Sequence, residues 1–155
     1  MKKIGCFLFC VLICCCVPLV LSANEPTVAR DITKKNSFQL ISGSGSVSRL
    51  SDRTVTTACS TKEYFELQIT SEEPIFGIYL IWNHTPPQWT ITNGLKTITG
   101  GEYGFWHEYK ALSGGTRYTL TWSGVGYLAD VYLLGEGETL PEFVQVWEPP
   151  CEKAD

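Results

Sequence analysis

Two short stretches limit what this chain can fold into. In EYFELQIT (63–70), Phe65, Leu67 and Ile69 alternate with Glu66 and Gln68; in RYTLTW (117–122), Tyr118, Leu120 and Trp122 alternate with Thr119 and Thr121. A period of two puts the apolar side chains on one face of an extended strand and the polar ones on the other. Strands of this kind are half buried, as in antiparallel sheets packed on a shared core. Ile78, Leu80 and Trp82 line up in the same way, and so do Trp89 and Ile91. Segments rich in Val, Ile, Thr, Tyr, Phe and Trp recur at 64–70, 75–82, 89–92, 105–109, 117–122 and 127–134, with weaker ones at 38–41, 47–50 and 53–58. Gly, Pro, Asn and Ser punctuate them. Asn93-Gly94, between WTIT and LKTIT, is a hairpin turn signal. No window sustains a helical period beyond about two turns. The expected fold class is all-β, an antiparallel β-sandwich or jelly roll.

The ends of the chain frame one domain. Lys2 and Lys3 precede an apolar run from Ile4 to Leu21, and Leu21-Ser22-Ala23 supplies the small residues of an export cleavage site. Residues 1–23 therefore read as a signal peptide. The run is also long enough to serve as a retained membrane anchor. A lipoprotein would need a small residue before the modified Cys, and Cys14 follows Ile13. Five of the 7 Cys leave with the signal, and Cys59 and Cys151 remain, able either to pair or to stay free. Two thiols are too few for a disulfide scaffold or a zinc ribbon. Losing Lys2 and Lys3 takes the 12 basic residues to 10 against 16 acidic ones, a net charge of −6. That balance argues against nucleic acid and anionic membranes as partners. Residues 24–37 are expected as a flexible lead-in, 38–140 as the sandwich and 141–155 as a linker broken by Pro149 and Pro150. The mature chain is expected to be secreted, extracellular or in the cell envelope, with no membrane contact after signal cleavage.

Residues for catalysis are hard to find. GEYGFWHEYKAL (101–112) contains His107-Glu108, the opening of a zinc-protease motif, but the second His that motif needs falls on Ala111. On a strand His107 and Glu108 point to opposite faces. The expected arrangement is a strand whose Phe105, His107 and Tyr109 face the core with one hydrogen-bonded imidazole. His84 and His107 are the sole histidines, and no alternating Asp marks a calcium loop. There is no Gly-x-Ser-x-Gly elbow. SGSGS (42–46) is not followed by a helix that could hold a phosphate. No carboxylate spacing favours a glycosidase pair.

Ligand binding by aromatics is better founded. The chain has 5 Trp and 7 Tyr, and such rings stack on the apolar faces of sugars while offering a polar atom at the edge. Trp82, Trp89 and Trp122 run in phase with apolar neighbours and are expected in the core. Trp106 runs out of phase with Phe105, His107 and Tyr109 and is expected as an exposed platform. The loop NHTPPQ (83–88) carries His84 and Gln88 around two stiffening prolines. The expected ligand-binding residues are His84, Gln88, Tyr103 and Trp106. Asn83-His84-Thr85 is also a formal glycosylation sequon. Phe143 and Trp147 are expected as interdomain contacts that dock on the sandwich.

Three stretches carry a resemblance: SEEPIFGIYLIWNHTPPQWTIT (71–92), GFWHEYKAL (104–112) and LADVYLLGEGETLPEFVQVWEPPCEKAD (128–155). Together they resemble the N-terminal β-sandwich domain of secreted bacterial PIG-L (LmbE-like) deacetylases, which is similar to galactose-binding and discoidin-like jelly rolls. The resemblance spans roughly 38–155. It implies that 141–155 leads into a catalytic domain in which an Asp-Asp-Glu-type segment supplies zinc ligands and a general base. This chain has no counterpart of that segment, so no catalytic residue and no cofactor is expected in it. Zinc belongs to the expected catalytic domain. The function implied is a non-catalytic module that binds a glycan of the cell envelope or diet and positions a zinc-dependent N-acetyl-sugar deacetylase. The alternative is a bracing domain or remnant with no ligand of its own.

Overall fold

Residues 24–148 are described by this computed structural model; the expected signal peptide, Cys151 and the last residues of the expected linker lie outside them. The described residues form β1 (Phe38–Ser42), β2 (Cys59–Thr61), β3 (Tyr64–Trp82), β4 (Trp89–Thr92), β5 (Thr97–Gly100), β6 (His107–Ser123) and β7 (Gly126–Leu134), all paired antiparallel. Two of these strands are unusually long, and each belongs to two layers. Residues 64–70 of β3 pair with β1 on one side and with residues 117–123 of β6 on the other; β4 and β5 extend that layer. Residues 77–82 of β3 pair with residues 107–111 of β6 and with β7, and β2 lies beyond β7. Register slips at Thr70, Ile75 and Gly77 bend the strand from one layer into the other. Pro74 sits in this bulge, where its missing N–H removes no ladder bond, and it is exposed. The expected separate strands at 64–70 and 75–82 are thus one bent strand, and those at 105–109 and 117–122 are joined in β6.

Both layers bury their apolar faces in one core. Phe65, Leu67 and Ile69 come from the first layer, Ile78, Leu80 and Trp82 from the second, and Trp89, Trp122, Leu128, Val131 and Leu133 fill the space between. Phe65 stacks on Trp122 with ring centroids 3.7 Å apart, and Trp82 meets Trp122 edge-on at 5.1 Å. Trp82, Trp89 and Trp122 are core residues, as their phase requires. On the outer face of the first layer, the Thr90 and Thr121 hydroxyls pair at 2.8 Å.

Three local expectations are corrected. Residues 47–50 are not a strand: Val47–Ser51 forms a 3-10 turn with Leu50 buried. Val47 and Leu50 are three apart, which is the repeat of that helix, so both meet the core. Residues 53–58 are not a strand either; they form a run of bends with Val55 exposed. The lead-in of residues 24–37 is tied down. Ala29 and Ile32 are buried, Ala29 N–H donates to the Thr139 carbonyl at 2.8 Å, and Ile32 N–H donates to Leu133 at 2.8 Å.

An ionic cluster clamps this lead-in to β7. Arg53, in left-handed backbone conformation (φ 61), donates to Asp130 at 2.8 Å, to Asp31 at 2.6 Å and to the Val131 carbonyl at 3.0 Å. Its guanidinium also lies 3.6 Å over the Tyr132 ring. Burial pushes the Asp130 carboxyl up to about 6, against the pull of Arg53. Cys59 is buried in β2, donates to the Ser46 carbonyl at 3.3 Å, and is pushed up to about 11 by desolvation.

Candidate functional site

The site grows from the edge of the second layer. Residues 107–111 of β6 pair with β3 alone, so one edge of this stretch carries no strand. The register sets Ile81 opposite His107 and Tyr79 opposite Tyr109. Tyr79, Ile81 and Tyr109 face away from the main core, with Ala129, Tyr132 and Val144, in a second small cluster, and His107 joins it through Tyr79. The expectation that His107 and Tyr109 face the core is corrected accordingly, and Phe105 precedes the strand. The alternation of 117–122 carries back unbroken: Leu112, Tyr118, Leu120 and Trp122 share the core face, so Glu108 and Lys110 lie on that face and His107 and Tyr109 on the other. The imidazole is hydrogen-bonded, to the Tyr79 hydroxyl at 2.8 Å.

Glu108 points the other way. Its Oε2 accepts the Trp89 indole N–H at 2.9 Å and the Gly101 N–H at 2.9 Å, and Lys110 Nζ lies 3.3 Å from Oε1. This carboxylate fixes the start of the loop 101–106. Gly101 (φ 79) completes the fit, because a Cβ there would fall 1.9 Å from the Pro87 carbonyl oxygen. The loops 83–88 and 101–106 therefore pack backbone to backbone.

Beyond this anchor Tyr103 and Phe105 stack, with centroids 5.7 Å apart and an interplanar angle of 26°. Trp147 stacks on Phe105 at 5.5 Å and 28°. Tyr103 is 53% exposed and Trp147 55%. These rings wall a cleft of about 290 Å³ that Glu102, His107, Glu108, Tyr109, Lys110 and Val146 complete. Trp147 arrives on a segment that lies across the second cluster. Phe143 tilts onto Tyr132 at 4.7 Å and Tyr79 at 6.4 Å, and the Gln145 N–H donates to the Tyr79 hydroxyl at 3.3 Å. With that oxygen accepting from Gln145, the arrangement that also gives the Tyr79 hydrogen a partner sends it to Nδ1 of His107 and puts the histidine proton on Nε2. Burial pulls the His107 pKa below the ordinary imidazole value and pushes Tyr79 and Tyr109 above the ordinary phenol value.

The four residues expected to bind ligand are dispersed around this cleft. Tyr103 walls it. Gln88 lines a shallower depression of about 450 Å³ with Tyr64, Thr90, Thr99 and Thr121; Glu102 borders both. His84 sets its ring edge-on against Tyr127 at 5.2 Å. Trp106 is 53% exposed, as expected, though not by its phase, since His107 and Tyr109 do not face the core, and its ring lies outside the cleft lining. Phe143 and Trp147, expected as interdomain contacts that dock on the sandwich, lie against its rings Tyr132, Tyr79 and Phe105. Sequence reasoning missed Phe105, Glu102, Glu108 and Lys110 as site residues. The signal for Phe105 was its place between Gly104 and the strand, beside Tyr103; that for Glu108 was its phase with Leu112, Tyr118, Leu120 and Trp122. Among the described residues no group of three or more His, Cys, Asp or Glu could hold a metal ion. Among them, too, no helix is long and apolar enough to cross a membrane.

No protein-family model and no curated protein matches the chain. Solved structures do. The lectin domain of lectinolysin complexed with Lewis B antigen matches with a TM-score of 0.55 and 12% identity, over 69% of this chain and 97% of that one. CpGH89CBM32-6 of Clostridium perfringens matches with 0.54 and 14%, over 69% and 100%. Truncated AlyQ with CBM32 and alginate lyase domains matches with 0.52 and 11%, over 72% and 34%. The fold is a galactose-binding-like β-sandwich.

Proposed function

We propose that this chain is a carbohydrate-binding module whose ligand lies in the cleft walled by Tyr103, Phe105 and Trp147. The observation that carries the reading is the run of three stacked rings beside a carboxylate fixed from below. Aromatic faces pack on the C–H faces of a pyranose, while Glu102, Lys110 and the Tyr109 hydroxyl accept or donate to its hydroxyls. Larger depressions on the outer face of the first layer are lined by mixed polar residues; the exposed ring of Tyr64 stands at one of them, without a run of stacked exposed rings. The similarity to a lectin domain and to CBM32 modules points the same way.

The test is a screen of the purified chain on an array of neutral and N-acetylated glycans, followed by calorimetry on the best ligand. Tyr103→Ala and Trp147→Ala should each weaken binding at least tenfold, as loss of a stacking face removes roughly 1.5 kcal/mol. Trp106→Ala and His84→Ala should stay within about twofold. Binding that survives Tyr103→Ala and Trp147→Ala but fails in Trp106→Ala would move the site to the 83–88 loop.

We further propose that the module is exported and serves a zinc-dependent PIG-L-type N-deacetylase, with zinc held by that enzyme's catalytic domain. The support is the resemblance of 71–92, 104–112 and 128–155 to the sandwich domain of those enzymes. Sequencing the gene beyond the codon for Asp155 tests this: an in-frame Asp-Asp-Glu segment supports it, and an immediate stop codon sinks it. A bracing role is the second reading. It is favoured by the exposed rings of Phe143 (44%) and Trp147 (55%), and self-association of a chain that binds no glycan would select it.

A further inference from the structure

We infer that Tyr79 and His107 are positioning residues: acting through Gln145, they hold the segment 141–147 against the sheet and so place the indole of Trp147 at the cleft. The consequence for ligand rests on the carbohydrate-binding reading; the docking of the segment does not.

The attachment is specific. Phe143 and Trp147 contribute ring contacts, to Tyr132 and Tyr79 and to Phe105 respectively. Between them, the polar tie from this segment to the sheet is the Gln145 N–H on the Tyr79 hydroxyl. Tyr79 is 1% exposed, so its oxygen cannot turn to water. Its hydrogen has one taker, Nδ1 of His107 at 2.8 Å. The pair therefore works while His107 is neutral. Protonation makes Nδ1 a donor, the Tyr79 oxygen must then accept from two N–H groups, and the phenol hydrogen loses its partner in a half-buried place. The tie to Gln145 weakens, and the Trp147 wall loosens.

Among the described residues no carboxylate lies within ion-pairing distance of His107; Glu142 and Glu148, on the segment that carries Gln145, are exposed. Tyr79 meets it from β3, and Tyr109 from its own strand and Tyr103 from the loop line the same cleft. Of the carboxylates, Glu108 points to the other face and is paired with Lys110, Asp31 and Asp130 are engaged by Arg53 behind Tyr132, and Glu102 stands at the outer rim with Thr99 bound to it. Desolvation acts on the imidazole in the same direction, toward the neutral form.

The experiment is amide hydrogen exchange of residues 141–147 in the full chain, read by NMR between pH 5 and 8 and corrected for intrinsic rates, with glycan affinity measured in parallel. In the wild type, Gln145 protection should drop about tenfold as His107 becomes protonated. Tyr79→Phe keeps the ring and the core but removes the tie, so protection should be low at every pH. His107→Gln keeps an acceptor that does not titrate, so protection should be high and independent of pH. Unchanged Gln145 protection in Tyr79→Phe, or a wild-type acid step that persists in His107→Gln, overturns the inference. If exchange behaves as expected and no glycan binds the wild type, the positioning stands and the carbohydrate reading falls. If glycan binds and its affinity follows Gln145 protection, both stand.

Discussion

The Trp89 indole donates to Glu108 Oε2 at 2.9 Å, tying β4 to the start of β6. A tryptophan in phase with the core thus has its polar edge met by a side chain from a stretch of strand with one open edge. The same Oε2 receives the Gly101 N–H. Glu108→Ala would strand two buried donors at once and should cost about 3 kcal/mol. Glu108→Gln keeps an oxygen and should cost about 1 kcal/mol. Urea unfolding of the two variants gives the comparison; equal losses would mean that the carboxylate acts through its charge with Lys110 instead.

Gly100 closes the same corner from β5. A Cβ there would lie 2.1 Å from Trp89 Cζ2 and 2.8 Å from Glu108 Oε1. The indole is buried and hydrogen-bonded, so it cannot move aside. Gly100→Ala should therefore lower stability by about 3 kcal/mol, and thermal unfolding would detect it. Gly94→Ala, which meets no neighbour but must adopt φ 87, should lose only about 1 kcal/mol.

Asp130 gives the pH dependence a sign. Its folded-state pKa of about 6 lies above the ordinary carboxyl value of 3.8. The folded form therefore holds its proton more tightly than the unfolded chain does. The resulting stabilisation is complete below about pH 4 and is lost as pH rises through about 6, an effect of about 3 kcal/mol for this group. Urea midpoints at pH 4.5 and 7 should differ in that direction in the wild type. The Asp130 share of the slope should vanish in Asp130→Asn; an unchanged slope in that variant would assign the effect elsewhere.

Cys59 reports on the fold. With its thiol pushed up to about 11 and no exposure, it should react with a disulfide reagent at pH 8 at least a hundredfold more slowly than a free cysteine. In a Cys151→Ser background, full labelling should appear in step with urea unfolding. Rapid labelling without urea would mean that β2 opens locally.

Much of the architecture could be read from the chain because alternation speaks directly to burial. Phe65, Leu67, Ile69, Tyr118, Leu120 and Trp122 each lie on the face their period assigns. The bends were not legible, because the residues of a bulge are the residues of a turn. Ser71 to Pro74 and Ser113 to Gly115 look like strand ends, yet the chain continues through both. The faces of His107 and Glu108 follow from the even-numbered core positions Leu112 to Trp122 once the two stretches are joined; read as a separate strand, Phe105, His107 and Tyr109 form the more apolar face. Exposure of Trp106 was expected from a phase in which His107 and Tyr109 face the core; it arises instead in the loop before β6. The stacking of Trp147 on Phe105 did not, because nothing local encodes a contact between rings 42 positions apart.

The two long strands have a consequence for how the domain comes apart. β3 and β6 run through both layers as a continuous pair, so neither layer owns a complete set of strands. Peeling one sheet away requires breaking the ladder that also builds the other. The sandwich should behave as a single cooperative unit, without a half-folded form in which one sheet survives alone. Its rate of assembly should be set by the meeting of segments some 40 residues apart, placing it among slow-folding β-proteins.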